Sequence, residues 1–339
     1  MFQRSIWAAI LYFSSTAAAL AGCGGADLIP QLPTAELARI GAAAEADPYG
    51  RGNMWKATRD GRTIWLIGTI HLHDDRLDPV AAALAETVAG SDLVMMELDR
   101  PAMQVIDQAP ARDPDRFFIR QGDTLPAILG QEKWAEVQAA LSDLGVPGFF
   151  AAQFRPWFLN MTLMATPCMV RNQTAGLQGL DMMILEITEQ AAVPVAALDN
   201  AEALLDLFED GTQEEHLRGL DIALADRHRA DALIATTVEN YFAQTHRLVW
   251  EFTLLELEKS DTLSAGEKAE MAAEMYDKLL VRRNLDWIEQ IVAAAQAHDT
   301  VTVAVGVLHL SSDMGLPRLL SERGFAVERA GAGIWPDSD

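Results

Sequence analysis

The sequence predicts an α/β fold: a central, mostly parallel sheet built from two related strand–GxxH–helix–strand halves, with a large helical insertion. Two matching segments support this prediction. The apolar run 63–67 precedes Gly68-Thr69-Ile70-His71, and the apolar run 301–305 precedes Gly306-Val307-Leu308-His309. Each run has the length and composition of a buried strand. A proline follows each histidine and opens an amphipathic helical stretch.

Length, hydrophobic content and net charge indicate how large a core the chain can bury and which partners it can bind. A chain of 339 residues, half of them hydrophobic, can bury a sizeable core in one large domain or two small ones. The formal net charge of −23 repels phosphate backbones. We therefore expect no nucleic-acid partner.

The N-terminal residues predict export. Arg4 precedes the apolar stretch 6–20, and Leu20-Ala21-Gly22-Cys23 resembles a bacterial lipobox, in which the cysteine is lipidated. Residues 1–22 are thus expected to be a lipoprotein signal peptide, with a plain secretory signal as the alternative. Because Gly24 and not aspartate follows Cys23, resemblance to Gram-negative lipoproteins indicates the outer membrane. The expected location is the cell envelope, with lipid on Cys23 holding the protein to the membrane at its periplasmic face.

Lipid on Cys23 would leave Cys168 without a partner. Cys23 and Cys168 are the two cysteines of the chain, so we expect no intrachain disulfide. The neighbours of Cys168 offer no base, which favours a buried structural thiol over a nucleophile. Residues 23–52 contain Gly24-Gly25, three prolines and an alanine-rich patch, and they are expected to be a tether.

The first half of the predicted domain, 53–330, begins with a hairpin. Residues 54–57 and 63–67 flank the turn residues Asp60-Gly61, which is a β-hairpin signal. A helix is predicted over 79–89, with Asp78 as its N-cap and Gly90 as its stop. The apolar strand 92–99 then completes a strand–helix–strand unit, which favours parallel strands and a right-handed crossover.

The second half repeats this order. A helix is predicted over 317–322, a stop at Gly324 and a strand over 325–329. The residues between the halves read mainly as helix, and the insertion covers about 131–297. Its predicted elements are helices at 131–144, 150–166 and 177–191, a strand at 193–198, a helix at 201–208 and a long charged helical stretch over 213–297.

Three side chains that could bind a metal follow predicted strands. His71 and His309 come after the two GxxH strands, and Glu97 ends the strand 92–99. Ligands of open α/β sheets bind beyond the carboxyl ends of the strands. Two neutral imidazoles and one carboxylate can hold a divalent metal and leave positions for water and substrate. One such histidine is usually an ordinary polar residue, but two in matching contexts favour a shared site.

Six short motifs resemble one family. Their order along the chain is similar to that of the TraB/GumN family, which includes the Tiki metalloproteases and is distantly related to erythromycin esterases and ChaN-like haem-binding lipoproteins. The resemblance covers about residues 54–329. The motifs are Gly68-Thr69-Ile70-His71, Met96-Glu97-Leu98-Asp99, Arg155-Pro156-Trp157, Gly179-Leu180-Asp181, Arg283-Asn284 and Gly306-Val307-Leu308-His309-Leu310.

The resemblance implies a divalent metal, Mn²⁺, Co²⁺ or Zn²⁺, held by His71, Glu97 and His309. Glu97 could be a ligand or the general base. Arg155 could stabilise charge on a reacting carbonyl, or could cap a helix or pair with a structural acid. The remaining residues of the wider set are Asp99, Asp181, Arg283 and Asn284. Two positions depart from the family pattern: Leu198-Asp199-Asn200 where Leu-Glu-Thr is frequent, and Arg282 where an acid is frequent.

Several of these residues also have structural interpretations. Asp99 alternates with Glu97 along the strand and is expected on the opposite face. Asp181 is favoured as the N-cap of a helix over 182–190, and His73 as a solvated loop residue. Tryptophans 157 and 287 are expected in the core. The histidines expected at the surface of charged helices are His216, His228, His246 and His298.

The family resemblance and the lipobox together imply a lipid-anchored, metal-dependent hydrolase, in the first place a peptidase. A bound metal would activate water and polarise a carbonyl of a peptide or small-molecule substrate. The alternative is a haem- or metal-binding lipoprotein of the ChaN-like type without hydrolase activity. A scaffold that keeps the fold alone is disfavoured by the two GxxH motifs, and an esterase-like hydrolase differs only in substrate.

Overall fold

The computed structural model describes residues 23–261 and 263–336, so the predicted signal peptide lies outside the described residues. These residues form one six-stranded sheet of order β4-β3-β5-β2-β1-β6. Strands β4, β3, β5 and β2 are parallel, and β1 is antiparallel to both of its neighbours. The strands are β1 Met54–Arg59, β2 Arg62–Thr69, β3 Leu93–Met96, β4 Val195–Ala197, β5 Thr300–Gly306 and β6 Ala326–Arg329.

The predicted hairpin is confirmed. Strands β1 and β2 pair antiparallel around Asp60 and Gly61, which both have positive φ, 53° and 80°. Two successive residues of this kind form the tight turn whose twist matches that of the strands. The two GxxH strands are direct neighbours, because β2 pairs parallel with β5 and places Leu66 opposite Val303.

Alternate strand residues face two separate cores. One face of the sheet carries Ile67, Val94 and Met96, and the other carries Leu66, Met95 and Val303. A strand covered on both faces reads as a continuous apolar run, which is why the 301–305 segment contains little polarity. Burial on both faces makes β5 the centre of the fold, with β3 on one side and β2 on the other.

Helices cover both faces and form most of the remaining structure. Within the described residues, no helix combines the length and the apolar character needed to cross a bilayer. The helices are α1 Thr34–Glu45, α2 Leu77–Ala89, α3 Arg100–Arg112, α4 Pro114–Phe117, α5 Leu125–Leu129, α6 Gln131–Asp143, α7 Gly148–Ala151, α8 Pro156–Leu163, α9 Pro167–Thr174, α10 Leu180–Ala191, α11 Ala201–Glu209, α12 Gln213–Asp226, α13 Ala230–Phe242, α14 His246–Lys259, α15 Ala265–Tyr276, α16 Arg282–Ala297 and α17 Leu316–Glu322.

Most predicted elements are confirmed, and three details are wrong. Helix α2 begins at Leu77, so Asp78 lies in its first turn and is not the N-cap. The helix predicted over 150–166 is broken, because the chain turns ahead of Pro156, which opens α8. Strand β4 belongs to the central sheet and divides the predicted insertion into two helical segments.

The two crossover helices lie on opposite faces. Helix α2 follows β2 and packs with Val80 and Leu84 in the core that contains Ile67. Helix α17 follows β5 and packs with Leu316 and Leu320 in the core that contains Leu66. The chain therefore leaves β2 and β5 in opposite directions, and the crevice between such strands is where open α/β sheets bind ligands. The proposed duplication of the two halves stays a prediction.

The segment expected as a tether is folded. Helix α1 lies against α14, and Ile29 and Ile40 are buried in a core with Phe252. The expectation of an unpaired Cys168 is also wrong, because Cys23 and Cys168 form a disulfide with a Cα–Cα distance of 5.5 Å. A sulfur in this bond cannot at the same time carry the thioether expected of a lipoprotein, so the disulfide and the predicted lipidation of Cys23 are alternatives, and lipidation stays a prediction.

His246 makes the fold sensitive to acid. The prediction of a surface residue is wrong, because His246 is 1% exposed at the start of α14. Burial lowers its pKa to about 4, and the charges of Arg247 and Arg329 act in the same direction. The unfolded chain binds a proton near pH 6.5 while the folded chain does not, so stability falls as the pH drops from 6.5 towards 4.

Because of His246, we expect the free energy of unfolding to fall by about 2 kcal/mol when the pH is lowered from 7 to 5. The substitution His246→Asn should remove this pH dependence. Urea unfolding at the two pH values measures the effect. The exposed His228 is the matched control, and His228→Asn should keep the wild-type slope. An unchanged slope in His246→Asn would contradict the assignment.

Candidate functional site

Four parallel strands end at one edge of the sheet, and a polar residue follows each of them. Asp199 follows β4, Glu97 follows β3, His309 follows β5 and His71 follows β2. Pairing continues past the strands, since the N–H of Asp199 donates to the carbonyl of Glu97 at 3.0 Å. The predicted grouping of His71, Glu97 and His309 at one sheet edge is therefore present, and Asp199 joins it.

Arg283 binds three of these four residues. Its Nη2 donates to Glu97 Oε2 and to Asp199 Oδ2, both at 2.6 Å, and its Nη1 donates to His309 Nε2 at 3.2 Å. The side chains of Arg283, Glu97 and Asp199 are each under 20% exposed. Charge-assisted bonds of this kind are the strong ones. Arg283 thus holds together the residues that follow β3, β4 and β5.

An irregular helical turn delivers Arg283 to the sheet edge. Residues Asp277–Val281 form a π-helical turn directly before α16, of which Arg283 is the second residue. Such turns insert an extra residue into a helix and are frequent at functional sites. The guanidinium also lies over the ring of Trp287 at 4.6 Å, and Trp287 Nε1 donates to Asp199 Oδ1 at 2.8 Å. Trp287 is a core residue, as predicted, and it also orients the site.

His309 is neutral, and its tautomer follows from its partners. Asn284 Nδ2 donates to the carbonyl of Met314 at 2.8 Å, so its Oδ1 is the atom that accepts from His309 Nδ1 at 2.7 Å. The proton therefore lies on Nδ1, and Nε2 carries a lone pair that faces Arg283. Burial lowers the pKa of His309 to about 3, with Arg283 and His71 acting in the same direction.

His71 is held by Asp181. Its Nδ1 lies 3.1 Å from Asp181 Oδ2, and this bond raises the pKa of His71 to about 9. Asp181 reaches the strand end because Gly179 allows helix α10 to approach closely. A Cβ at Gly179 would lie 2.3 Å from the carbonyl oxygen of Ile70. The prediction that Asp181 is an N-cap is wrong, because Gly179 is the N-cap of α10.

Glu97 is an anion at neutral pH. Burial acts to raise its pKa, but opposing interactions lower it to about 2. Because His309 is neutral, the positive charges come from Arg283 and the protonated His71, and the N–H of Gly306 donates to Oε1 at 2.7 Å. A buried carboxylate stays ionised when cations and N–H donors face it.

The two GxxH glycines have different roles. A Cβ at Gly306 would lie 3.1 Å from Glu97 Oε1, so this glycine leaves room for the carboxylate. A Cβ at Gly68 would lie 2.6 Å from Val307 Cγ2 and 3.0 Å from its Cα. Gly68 thereby allows the short helical turn Val307–Leu310, which carries His309, to pack on β2.

A cleft of about 720 Å³ opens at His71. The exposed His71 side chain reaches into it, and Met103 of α3, Met169 of α9 and Met182 of α10 line its walls. A larger cavity of about 880 Å³ lies among α12, α13, α14 and α15 and contains none of the strand-end residues. Of the four strand-end residues, His71 is the one that lines the cleft.

Comparison with known proteins agrees with this architecture. The model of the TraB/PrgY/gumN family matches residues 53–329, which is most of the chain. The chain belongs to the TraB/PrgY/gumN family. It is 25% identical over 294 residues to the uncharacterized protein YbaP of Escherichia coli K12, covering 80% of this chain and 98% of YbaP. The YbaP protein of Shigella flexneri matches over the same length with the same identity.

The TraB/PrgY/gumN motifs do not all contribute to the site. Asp99 caps α3, where its Oδ1 accepts from the N–H of Ala102 at 2.9 Å. Arg155 is exposed, and its Nε donates to the carbonyl of Asp115 at 3.0 Å. Neither has a described contact with the strand-end residues, and the catalytic role of Arg155 stays a prediction. His73, expected in solvent, has a side chain only 10% exposed, whose Nδ1 lies 3.3 Å from the Gln178 carbonyl.

Donor type and outer partners suit a divalent metal at this TraB/PrgY/gumN site. Metal-binding histidines typically donate their other ring N–H to a carboxylate or carbonyl, as His71 does to Asp181 and His309 does to the amide oxygen of Asn284. In the described parts of the chain, no three His, Cys, Asp or Glu side chains stand close enough together to hold a metal. Arg283 is hydrogen-bonded to the Glu97 and His309 atoms that would bind a metal. His71 would also have to release its proton before binding. The donor atoms are of the type that binds a divalent metal, and binding would require Arg283 to move away from Glu97 and His309.

We expect Arg283→Met to lower the free energy of unfolding by about 3 kcal/mol, because it leaves Glu97 and Asp199 buried without their cation. The free energy of unfolding of Arg283→Lys should lie between those of the wild type and Arg283→Met, since a lysine cannot bridge both acids. Urea unfolding measures the difference. Arg282, the adjacent and exposed arginine paired with Asp277, is the control, and Arg282→Met should change stability by less than about 0.5 kcal/mol. Equal losses of stability in Arg283→Met and Arg282→Met would contradict the pairing of Arg283 with Glu97 and Asp199.

Gly179→Ala should lower the free energy of unfolding by about 1 to 3 kcal/mol, because its Cβ meets backbone that cannot move aside. The control is Gly41→Ala in α1, where a Cβ meets nothing within 4 Å. The control substitution is expected to be neutral or stabilising. Thermal unfolding of the two variants checks the pair, and a Gly179→Ala protein as stable as Gly41→Ala would refute the close approach.

Proposed function

We propose that the chain is a metal-dependent hydrolase centred on His71, Glu97 and His309. One observation supports this most directly. The two imidazoles and the carboxylate follow three neighbouring parallel strands at the point where the chain leaves β2 and β5 in opposite directions. Each imidazole also has its Nδ1 held by a second residue, which leaves Nε2 as the atom available for binding.

The metal, when bound, would supply an activated water and polarise a substrate carbonyl. The protein side chains supply the negative charge that attracts the metal cation. Counting Glu97, Asp199 and Asp181 against Arg283 and protonated His71, the group has one net negative charge. A partly buried group of this sign attracts a cation.

The side chains around the centre have separate tasks. Asn284 keeps His309 in the tautomer whose Nε2 carries the lone pair, which accepts from Arg283. The N–H of Gly306 fixes one oxygen of Glu97 and leaves the other to Arg283. Arg283 helps to keep Glu97 ionised, and its planar guanidinium is the group that could stabilise a developing oxyanion once released from the two acids. We assign Glu97 as ligand or general base, since both roles need the same ionised carboxylate.

The cleft at His71 favours a peptide substrate. Its volume of about 720 Å³ is within the range of ligand sites, and its walls combine methionines with side-chain amides such as Gln104 and Gln173. Flexible methionines accept varied apolar side chains, and amides can pair with a peptide backbone. A small ester or amide of similar polarity would meet the same walls.

The test is metal analysis of the purified protein beside His71→Ala and His309→Ala. We expect a stoichiometric Mn²⁺, Co²⁺ or Zn²⁺ in the wild type and its loss from both variants, because each removes one donor of three. His228→Ala, an exposed histidine outside the site, is the control and should bind metal as the wild type does. If both site variants keep full metal, the shared centre is wrong.

Hydrolysis is tested separately on a mixed peptide library, with metal and with a chelator. Cleavage that needs metal and disappears in His309→Ala supports a peptidase. A Soret band on adding haem, with no cleavage under any metal, would instead favour the haem- or metal-binding alternative.

A further inference from the structure

Cys23, the residue that a lipobox would modify, is committed to another bond. Its sulfur pairs with Cys168 in helix α9. Asn172, one turn further along α9, places its Nδ2 4.0 Å from the sulfur of Cys23 and 3.9 Å from that of Cys168. The two cysteines are 145 residues apart in the sequence, so folding is what brings them together.

The chain packs against the domain immediately after Cys23. Gly25 lies so close to α13 that a Cβ would be 2.5 Å from the carbonyl oxygen of Asp231. The N–H of Leu28 donates to Thr236 Oγ1 at 2.9 Å, and Ile29 is 3% exposed. A lipid anchor commonly needs a free spacer between the acylated cysteine and the folded domain. This segment offers none, because its residues are already docked.

The same N-terminal residues contain a second processing signal. Ala19-Leu20-Ala21 has the small–x–small pattern of an ordinary secretory cleavage site and lies directly before Gly22-Cys23. Cleavage after Ala21 leaves the Cys23 thiol free for oxidation. Acylation would instead join a diacylglyceryl group to that sulfur through a thioether. The two outcomes exclude each other at one atom.

We propose that the exported chain is cleaved after Ala21 and carries the Cys23–Cys168 disulfide in place of a lipid. The step balances as an exchange of two electrons. The two thiols lose their protons and two electrons as the S–S bond forms, and a disulfide-form thiol oxidoreductase of the oxidising compartment is reduced to its dithiol. Disulfides of this kind persist in exported proteins.

The bond also forms part of the cleft wall. Cys23, Met169 and Asn172 line the cleft into which His71 reaches. The disulfide therefore joins the N-terminal segment to helix α9 at the wall of this cleft. This role is independent of whether the site hydrolyses anything, so the tests below do not use activity.

The decisive measurement is the intact mass of the full chain, expressed with its own signal and recovered from the cell envelope. The expected species begins at Gly22, lacks acyl groups and is lighter by two hydrogens than its reduced form. A chain beginning at diacylglyceryl-Cys23 would overturn the proposal. So would a non-acylated chain with two free thiols.

Matched variants give an independent reading. Because either serine breaks the same bond, Cys23→Ser and Cys168→Ser should lower Tm equally, by roughly 5 °C, and leave the protein in the soluble fraction. A reductant should lower the wild-type Tm to the same value and leave both variants unchanged. If lipid is the true modification, Cys23→Ser alone releases the protein from membranes and Cys168→Ser changes nothing in the fractionation.

Discussion

The buried pairing of Arg283 with Glu97 and Asp199 is the interaction on which the site depends. Both acids follow parallel strands, so their side chains meet at the edge where β3 and β4 end. Two buried carboxylates at such an edge repel each other and lose their hydration. One guanidinium, bonded to both at 2.6 Å, offsets that cost. Without it, the sheet edge would hold an uncompensated charge.

This network also explains how a helix contributes to a sheet-edge site. Arg283, Asn284 and Trp287 all belong to α16, and they contact Glu97, His309 and Asp199 respectively. Residues three or four positions apart share one face of a helix. The π-helical turn Asp277–Val281 lies where this face starts. A single helix therefore supplies the cation, the tautomer-setting amide and the indole.

Close backbone approach is the second requirement of the site. Gly68, Gly179 and Gly306 each stand where a Cβ would meet another group within 3.1 Å. Gly68 admits the turn that carries His309, Gly306 admits Glu97, and Gly179 admits the helix that carries Asp181. The repeated GxxH pattern thus serves two different contacts. Similar spacing arises because both strands end in a crowded edge, and it is not by itself proof of duplication.

The N-terminal segment links the candidate site to the predicted export of the chain. Residues from Gly25 onwards are packed on α13 and α14, and the disulfide joins Cys23 to α9 beside the cleft. Cys23, the first residue after the predicted signal peptide, therefore belongs to the wall of the cleft at His71. An oxidising compartment, which the bond needs, agrees with the export predicted from the N-terminal sequence.

Much of the fold was readable from local patterns. Apolar runs of strand length, the Asp60-Gly61 turn and the proline-opened helices depend on neighbouring residues, so they predicted the hairpin, β3, β5 and the crossover helices. The same logic placed His71, Glu97 and His309 at strand ends, since the carboxyl ends of parallel strands share an edge. The family followed from the order of short motifs, which is also a property of the sequence.

What the linear sequence left open was which distant groups would meet. Asp199 was noted only as a departure, although a predicted strand preceded it, because nothing local shows that β4 lies beside β3. The sequence favoured Asp181 as an N-cap, and the burial of His246 depends on packing between elements far apart in the chain. Cys23 matched a lipobox by its immediate neighbours, whereas its bond to Cys168 exists only after folding. Local chemistry determines element type and strand-end residues; charge pairing, burial and sulfur chemistry depend on three-dimensional proximity.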